Sequence, residues 1–286
     1  MSSQVVRHVG VVGAGLMGSG IAEVVARAGM RVTFVESTDE LVAAGRDRIE
    51  RSVETAIHRG KLEAAEARDA LSRIDAATDL SELVACDVVI EAAVEELAAK
   101  QGIFRRLGEV TRPDTVLASN TSSIPIVELG VASARPERVV GIHFFNPPPV
   151  MSLVELIPSI VTSVDTVERA RAWVAALGKE TVTSKDEAGF IVNRVLIPFL
   201  NDAIAMFDRG IASRDDIDAA CRLGLGHPMG PLQVVDLIGL DTVLNIGEVL
   251  AEEFEERRYA PPPLLRRMVA AGRLGRKSGE GFYRYD

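Results

Sequence analysis

Cysteine is scarce in this chain of 286 residues, with Cys86 and Cys221 the only two. Two distant thiols cannot build the disulfide framework of a small secreted fold. Without a C-x-x-C pair or a histidine-rich cluster, no metal site is expected either. A reducing compartment suits such a composition. Also missing is an uninterrupted apolar run of the about 18 residues that a membrane-spanning helix needs, so no membrane is expected as a partner. The first apolar stretch begins within a few residues of Met1, with no charged n-region, h-region and cleavage site before it. A soluble, cytoplasmic protein is therefore expected. Basic charge is in deficit, 32 Lys and Arg against 41 Asp and Glu, for a net charge of -9. Nucleic acids and anionic membranes are held by clustered Lys and Arg, which leaves a small molecule as the expected ligand.

What is present is a chain that is 47% hydrophobic, enough for two packed domains. "HVGVVG" and "RVTFVE" are apolar, β-branched runs of the kind buried on both faces of a parallel sheet. Between them, Ile21, Val24, Val25 and Ala28 recur at helical spacing up to Gly29, a C-cap residue. Residues 38 to 72 predict two helices broken near Gly60. "CDVVIEAAV", "DTVLASN", "RVVGIHFFN" and "SLVELI" read as further strands, with a helix in "EELAAKQGIFRRLGEV". This alternation predicts an α/β fold, a Rossmann-type doubly wound sheet over residues 1–187. After "KETVTSKDEAG" only helical stretches follow, so residues 188–286 are expected to form a smaller all-helical domain.

Gly13, Gly15 and Gly18 have the spacing G-x-G-x-x-G between the first strand and the first helix. Gly13 permits the tight turn, Gly15 lets a pyrophosphate approach the backbone, and Gly18 lets helix and sheet pack closely. The free N–H groups at the helix start, around Leu16 and Met17, then face the phosphates. Glu36 ends the second strand, where a carboxylate can accept from the adenosine ribose hydroxyls and repel a 2′-phosphate. NAD is the cofactor so implied.

Of four histidines, His8 precedes the first strand and His58 lies in a charged helix, so neither is placed for chemistry. His143 ends an apolar strand, at the sheet edge where doubly wound proteins bind ligands. Glu155, in the otherwise apolar "SLVELI", needs a partner because burying a lone carboxylate is costly. Imidazole is the natural one, and the pair would fix the tautomer of a general base. The residues alone leave open a hydrogen-bonded core role for His143. His227, in "GLGHPMGP", reads as a packed loop residue lining the domain interface. "ASNTSSIP" offers Asn120, Ser122 and Ser123 either to a substrate or to a helix-capping turn. "GFIVNRVL" puts Asn193 and Arg194 inside an apolar helix, facing solvent or a site.

Seven segments, in order, resemble the L-3-hydroxyacyl-CoA dehydrogenase family, most closely its short bacterial 3-hydroxybutyryl-CoA dehydrogenases. They are "VGVVGAGLMGSGIA", "VIEAAVEE", "ASNTSSIPI", "GIHFFNPPPVMSLVE", "GFIVNRVLIP", "GLGHPMGPLQVVDLIGLDT" and "GRKSGEGFY". The resemblance implies reversible oxidation of a 3-hydroxyacyl-CoA with NAD, in fatty-acid β-oxidation or butyrate-type metabolism. It implies His143 as the base with Glu155 as its partner, and Ser122 and Asn193 as hydrogen-bonders of the reacting oxygen. Glu36, Glu95, Lys100 and Asn120 match the family's NAD contacts beside the glycine loop. Ser52 and Arg59 match a serine and a lysine that hold coenzyme A, on one helix face with Arg48 and Thr55. A solvated basic face is the other reading of these residues. "NPPPV" departs from the N-P-V-P-V of many members. The helical domain is expected to close the cleft and to form a homodimer. Two rivals differ in chemistry. Related dehydrogenases of free hydroxyacids use a lysine base on the first long helix of the second domain, and "GFIVNRVLIPFLNDAIAMF" has no lysine. A non-catalytic NAD-binding relative of the λ-crystallin type would keep the dinucleotide site without turnover.

Overall fold

The computed structural model describes residues 5–285. The expectation about the extreme N-terminus falls partly on Met1–Gln4, outside the described residues. Two compact units, Met1–Glu187 and Ala188–Asp286, make up the chain.

The first unit alternates strand and helix. Its elements are β1 (His8–Val12), α1 (Leu16–Arg27), β2 (Arg31–Val35), α2 (Asp39–His58), α3 (Ala64–Leu71), β3 (Ile74–Ala77) and β4 (Val88–Glu91). There follow α4 (Leu97–Val110), β5 (Val116–Ser119), α5 (Ile126–Ala132), β6 (Val139–Phe144), β7 (Leu153–Pro158), α6 (Val164–Ala176) and β8 (Glu180–Thr183). One eight-stranded sheet results, in the order β3-β2-β1-β4-β5-β6-β7-β8. The order reverses between β1 and β4, and the crevice at that switch point is where such sheets hold ligands. The interior strands β4, β5 and β6 are buried along their whole length, which is why they read as continuous apolar runs. Each fully buried Val, Ile or Leu in them contributes about 1.5–3 kcal/mol. Trp173 of α6, 1% exposed, meets Phe144 edge-on with ring centroids 6.3 Å apart. That contact fixes the carboxyl end of β6.

The sheet departs from the expected reading at its rim. Strands β3 and β8 were not anticipated, because each is a four-residue edge strand, "IDAA" and "ETVT", without an apolar run. "KETVTS", where the alternation was expected to end, is thus still part of the sheet. Strand β7 runs antiparallel to β6, whereas the other neighbours are parallel. A connection of residues 145–152 is too short for the crossover a parallel return demands, so the chain doubles back. The register sets His143 directly opposite Glu155. Helices α5 and α6 were likewise left unassigned by the sequence pattern.

In the second unit the described residues form α7 (Val192–Asp208), α8 (Arg214–Gly224), α9 (Pro231–Ile238), α10 (Leu240–Phe254) and α11 (Pro263–Ala270). Helices α9 and α11 are additions to the sequence reading. Leu200, Ile204, Leu232, Val235, Leu250 and Tyr259 lie at the centre of the core. Two buried aspartates organise this unit. Asp218 accepts from the backbone N–H groups of Leu232 and Gln233 at 2.8 and 3.1 Å, capping α9, and from the Tyr283 hydroxyl at 2.8 Å. Asp236 accepts from the N–H groups of Phe282 and Tyr283 and from the Tyr285 hydroxyl, each within 2.9 Å. A Cβ at Gly281 would lie 2.1 Å from Asp236 Oδ1, so the tail approaches this close only as glycine. Asp236→Ala leaves one buried and one half-buried N–H group without acceptors and should lower the unfolding free energy by about 3 kcal/mol in a urea titration. A loss below about 1 kcal/mol would show that the tail does not depend on this carboxylate.

Candidate functional site

Gly13 leaves β1 with φ +89°, a conformation that favours glycine, and donates its N–H to Val35 O at 2.8 Å. A Cβ at Gly18 would stand 1.8 Å from Gly13 O, whereas one at Gly15 would meet nothing within 4 Å. The loop is therefore closed on the protein side and open at Gly15. That open side and the first N–H groups of α1, a helix of 12 residues, suit a pyrophosphate. Leu16 is exposed beside it, while Met17 packs on the core.

Glu36, at the end of β2, accepts from Ala14 N at 2.6 Å through Oε1 and from Ser37 N at 3.2 Å through Oε2. The carboxylate is thereby held against the glycine loop. From α2, Arg48 donates to Ala14 O at 3.1 Å, and Thr55 turns its hydroxyl back to Arg51 O. Ser52 is half-buried on that helix. Arg59 is not within the helix, as its spacing suggested, but is the exposed residue capping its C-terminus. A cation there also favours the helix dipole.

Beyond the switch point, Asn120 accepts from Phe144 N at 2.9 Å and ties the end of β5 to that of β6. Glu95 accepts from Thr121 Oγ1 at 2.5 Å and from Ser122 N at 3.0 Å, with Ser122 Oγ and Ser123 Oγ at 3.5 and 3.3 Å. Burial pushes its carboxyl up, but the Lys100 charge and the bonds from Thr121 and Ser122 outweigh this and hold it below the usual range. Lys100, only 1% exposed, places its ammonium 3.2 Å from Glu95 Oε2 and 2.5 Å from Glu91 Oε1. Glu91 was missed by the sequence reading. The signal was the one that exposed Glu155, a carboxylate in an otherwise apolar strand.

His143 and Glu155 meet as expected, with Nδ1 2.7 Å from Oε2 and both residues buried. Against an ionised carboxylate, which only accepts, Nδ1 carries the hydrogen of this contact. The Phe145 ring lies 4.7 Å from the imidazole, tilted against it. The connection after β6 is pinned by Lys179, whose ammonium donates to Pro148 O and Met151 O at 2.7 and 2.6 Å. Pro148 in turn packs on α1, where a Cβ at Gly20 would come within 2.8 Å of its ring.

Asn193 belongs to the helical unit and is buried in the first turn of α7. Its neighbour Arg194 stacks its guanidinium 4.2 Å from the Phe254 ring. His227 is half-buried and meets Phe199 edge-on at 5.4 Å. Both rings line an apolar hollow of about 670 Å³ with Val195, Leu225 and Met229.

A strand-turn-helix with an open glycine, an acidic end to the second strand and a buried His–Glu pair at the carboxyl edge define a dinucleotide-dependent dehydrogenase. Its two units match two family models, "3-hydroxyacyl-CoA dehydrogenase, NAD binding domain" over residues 8–187 and "3-hydroxyacyl-CoA dehydrogenase, C-terminal domain" over 189–285. A 3-hydroxybutyryl-CoA dehydrogenase of Mycobacterium tuberculosis is 51% identical over 285 residues, covering 99% of this chain and 100% of its own. The crystal structure of M. tuberculosis FadB2 superposes with a TM-score of 0.97 at 50% identity, covering 99% of this chain and 100% of that one. That of (S)-3-hydroxybutyryl-CoA dehydrogenase PaaH1 from Ralstonia eutropha gives 0.92 at 44% identity, with the same coverage. The chain belongs to the 3-hydroxyacyl-CoA dehydrogenase family and is an NAD-dependent oxidoreductase.

Gly18→Ala should abolish NADH binding measured by fluorescence titration, because the added methyl overlaps the Gly13 carbonyl. Gly102→Ala, on α4 with nothing within 4 Å of the new Cβ, should leave it unchanged.

Proposed function

We propose that the protein catalyses the reversible oxidation of a short-chain (S)-3-hydroxyacyl-CoA, such as 3-hydroxybutyryl-CoA, to the 3-ketoacyl-CoA. The 2.7 Å contact between His143 Nδ1 and Glu155 carries this reading, since it orients the imidazole at the carboxyl end of β6. Bound NAD supplies the acceptor for the hydride that leaves C3. Meanwhile His143 Nε2 takes the hydroxyl proton, and the Glu155 carboxylate stabilises the imidazolium that forms. In the reverse direction His143 returns the proton to the ketone oxygen. Ser122 and Asn193 hydrogen-bond that oxygen and polarise it.

Glu36 holds the adenosine ribose; Gly13 to Gly18, with Leu16 and Met17, cradle the pyrophosphate. Glu95, Lys100 and Asn120 shape the nicotinamide end, a reading that the switch point between β1 and β4 supports. Ser52 and Arg59 take the coenzyme A portion. Residues 1–187 are thus the NAD-binding domain and 188–286 the domain that carries Asn193 and the homodimer contact. Exposed Val195 and Leu225 around the apolar hollow support that contact, since contiguous apolar surface of this kind marks an interface. The reaction belongs to cytoplasmic β-oxidation or butyrate-type metabolism.

The test is loss of NADH absorbance on adding acetoacetyl-CoA, with longer 3-ketoacyl-CoAs and NADPH in parallel. Rapid turnover with the short thioester and NADH is expected; NADH binding without turnover of any thioester would overturn the reading. His143→Ala should reduce kcat about a thousandfold with NADH affinity retained, and a loss under about tenfold would remove His143 as the base. Glu36→Ala should shift the ratio of NAD to NADP affinities toward NADP by about tenfold, and an unchanged ratio would contradict the ribose contact.

A further inference from the structure

Glu91 touches no open surface, yet it stands at the head of a chain of contacts that ends at Ser122. It is the last residue of β4, 0% exposed, and both of its oxygens are engaged. Oε1 accepts from Ala93 N at 2.6 Å and from the Lys100 ammonium at 2.5 Å, and Oε2 accepts from Ser119 Oγ at 2.7 Å. Two routes lead onward. Lys100 passes to Glu95, which receives Thr121 Oγ1 and Ser122 N. Ser119 Oγ accepts from Thr121 N at 3.2 Å, and Thr121 Oγ1 then accepts from the N–H groups of Ser123 and Ile124. Both routes converge on residues 121–124, the loop that presents Ser122.

We propose that Glu91 is a positioning residue for the reaction, which through Lys100, Glu95 and Ser119 sets the Ser122 hydroxyl. This rests on the reading of Ser122 as a hydrogen-bonder of the reacting oxygen. Lys100 then serves as a buried bridge between two carboxylates. The ion pairs use its charge inside the protein, and burial makes that charge dependent on both glutamates. A glutamine at position 91 has the shape of the glutamate but only one acceptor oxygen. With its oxygen kept on Lys100 and Ala93 N, its N–H₂ meets Ser119 Oγ, which can accept from it only while its own O–H loses its acceptor; turned the other way, the N–H₂ faces two donors. The loop settles elsewhere, and Ser122 loses its aim.

The experiment is a double-mutant cycle on the full-length protein, with acetoacetyl-CoA and NADH as probes. Glu91→Gln alone should lower kcat by about tenfold or more, yet in a Ser122→Ala background by less than about threefold, because the misplaced hydroxyl is already gone. A merely structural role would give the same factor in both backgrounds, and that result overturns the proposal. If Ser122→Ala alone leaves kcat unchanged, the reading of Ser122 falls and the positioning role falls with it. Should Glu91→Gln not fold, Ser119→Ala breaks the route through Ser119 Oγ and leaves Glu91 its Lys100 and Ala93 contacts. Its kcat loss should shrink in the Ser122→Ala background in the same way, and wild-type kcat in Ser119→Ala would overturn the proposal.

Discussion

A carboxylate taken out of water must find its counter-groups within the protein, and the first unit is arranged around two that did. Glu155 and Glu91 are both fully buried, in β7 and at the end of β4. Stripped of solvent, each would cost several kcal/mol unless charge or hydrogen bonds replaced it. Glu155 meets the His143 imidazole, and Glu91 an ammonium, a hydroxyl and a backbone N–H. The two solutions differ in what they leave over. The first couples a carboxylate to a ring that has a second nitrogen. The second satisfies the carboxylate entirely within the protein, which is rigidity. The first lies across the β6–β7 pair; around the second stand the loops after β4 and β5.

The antiparallel turn of β7 makes the first solution possible. Directly opposed residues in such a pair hold their side chains on the same face within reach of each other. A slip of one residue would send Glu155 to the opposite face of the sheet from His143. Register is in turn held by what surrounds it. Trp173 fixes the end of β6, Asn120 accepts from Phe144 N, and Lys179 pins the connection through two carbonyls.

The sequence carried much of this, for reasons that can be named. Continuous apolar runs marked β1, β2 and β4 to β7 because those strands are buried on both faces. Gly13 and Gly18 declared the dinucleotide turn because sterics leave no substitute there. Glu155 declared itself by being charged where its neighbours were not. Edge strands β3 and β8 stayed hidden, since half-solvated strands of four residues carry too few apolar positions to show a period. The direction of β7 was also hidden, because an apolar run is silent on whether its partner is parallel. Glu91 was legible by the same logic as Glu155, but it ended a strand, where polar residues are ordinary. Arg59 was placed on the helix face by counting residues, and counting could not reveal that the helix stops one residue earlier.

Pro148 and Gly20 lie far apart in the chain and share one small volume, the proline ring filling the space above a residue with no side chain. The two positions therefore form a linked pair in descent. While proline occupies 148, selection holds 20 to glycine; a lineage that exchanges the proline for a side chain that leaves this space free relaxes that hold. Substitutions at the two positions should accordingly arrive together or in one fixed order, glycine being lost only after proline. The helix that follows the glycine loop and the connection that follows β6 are thereby coupled as one surface.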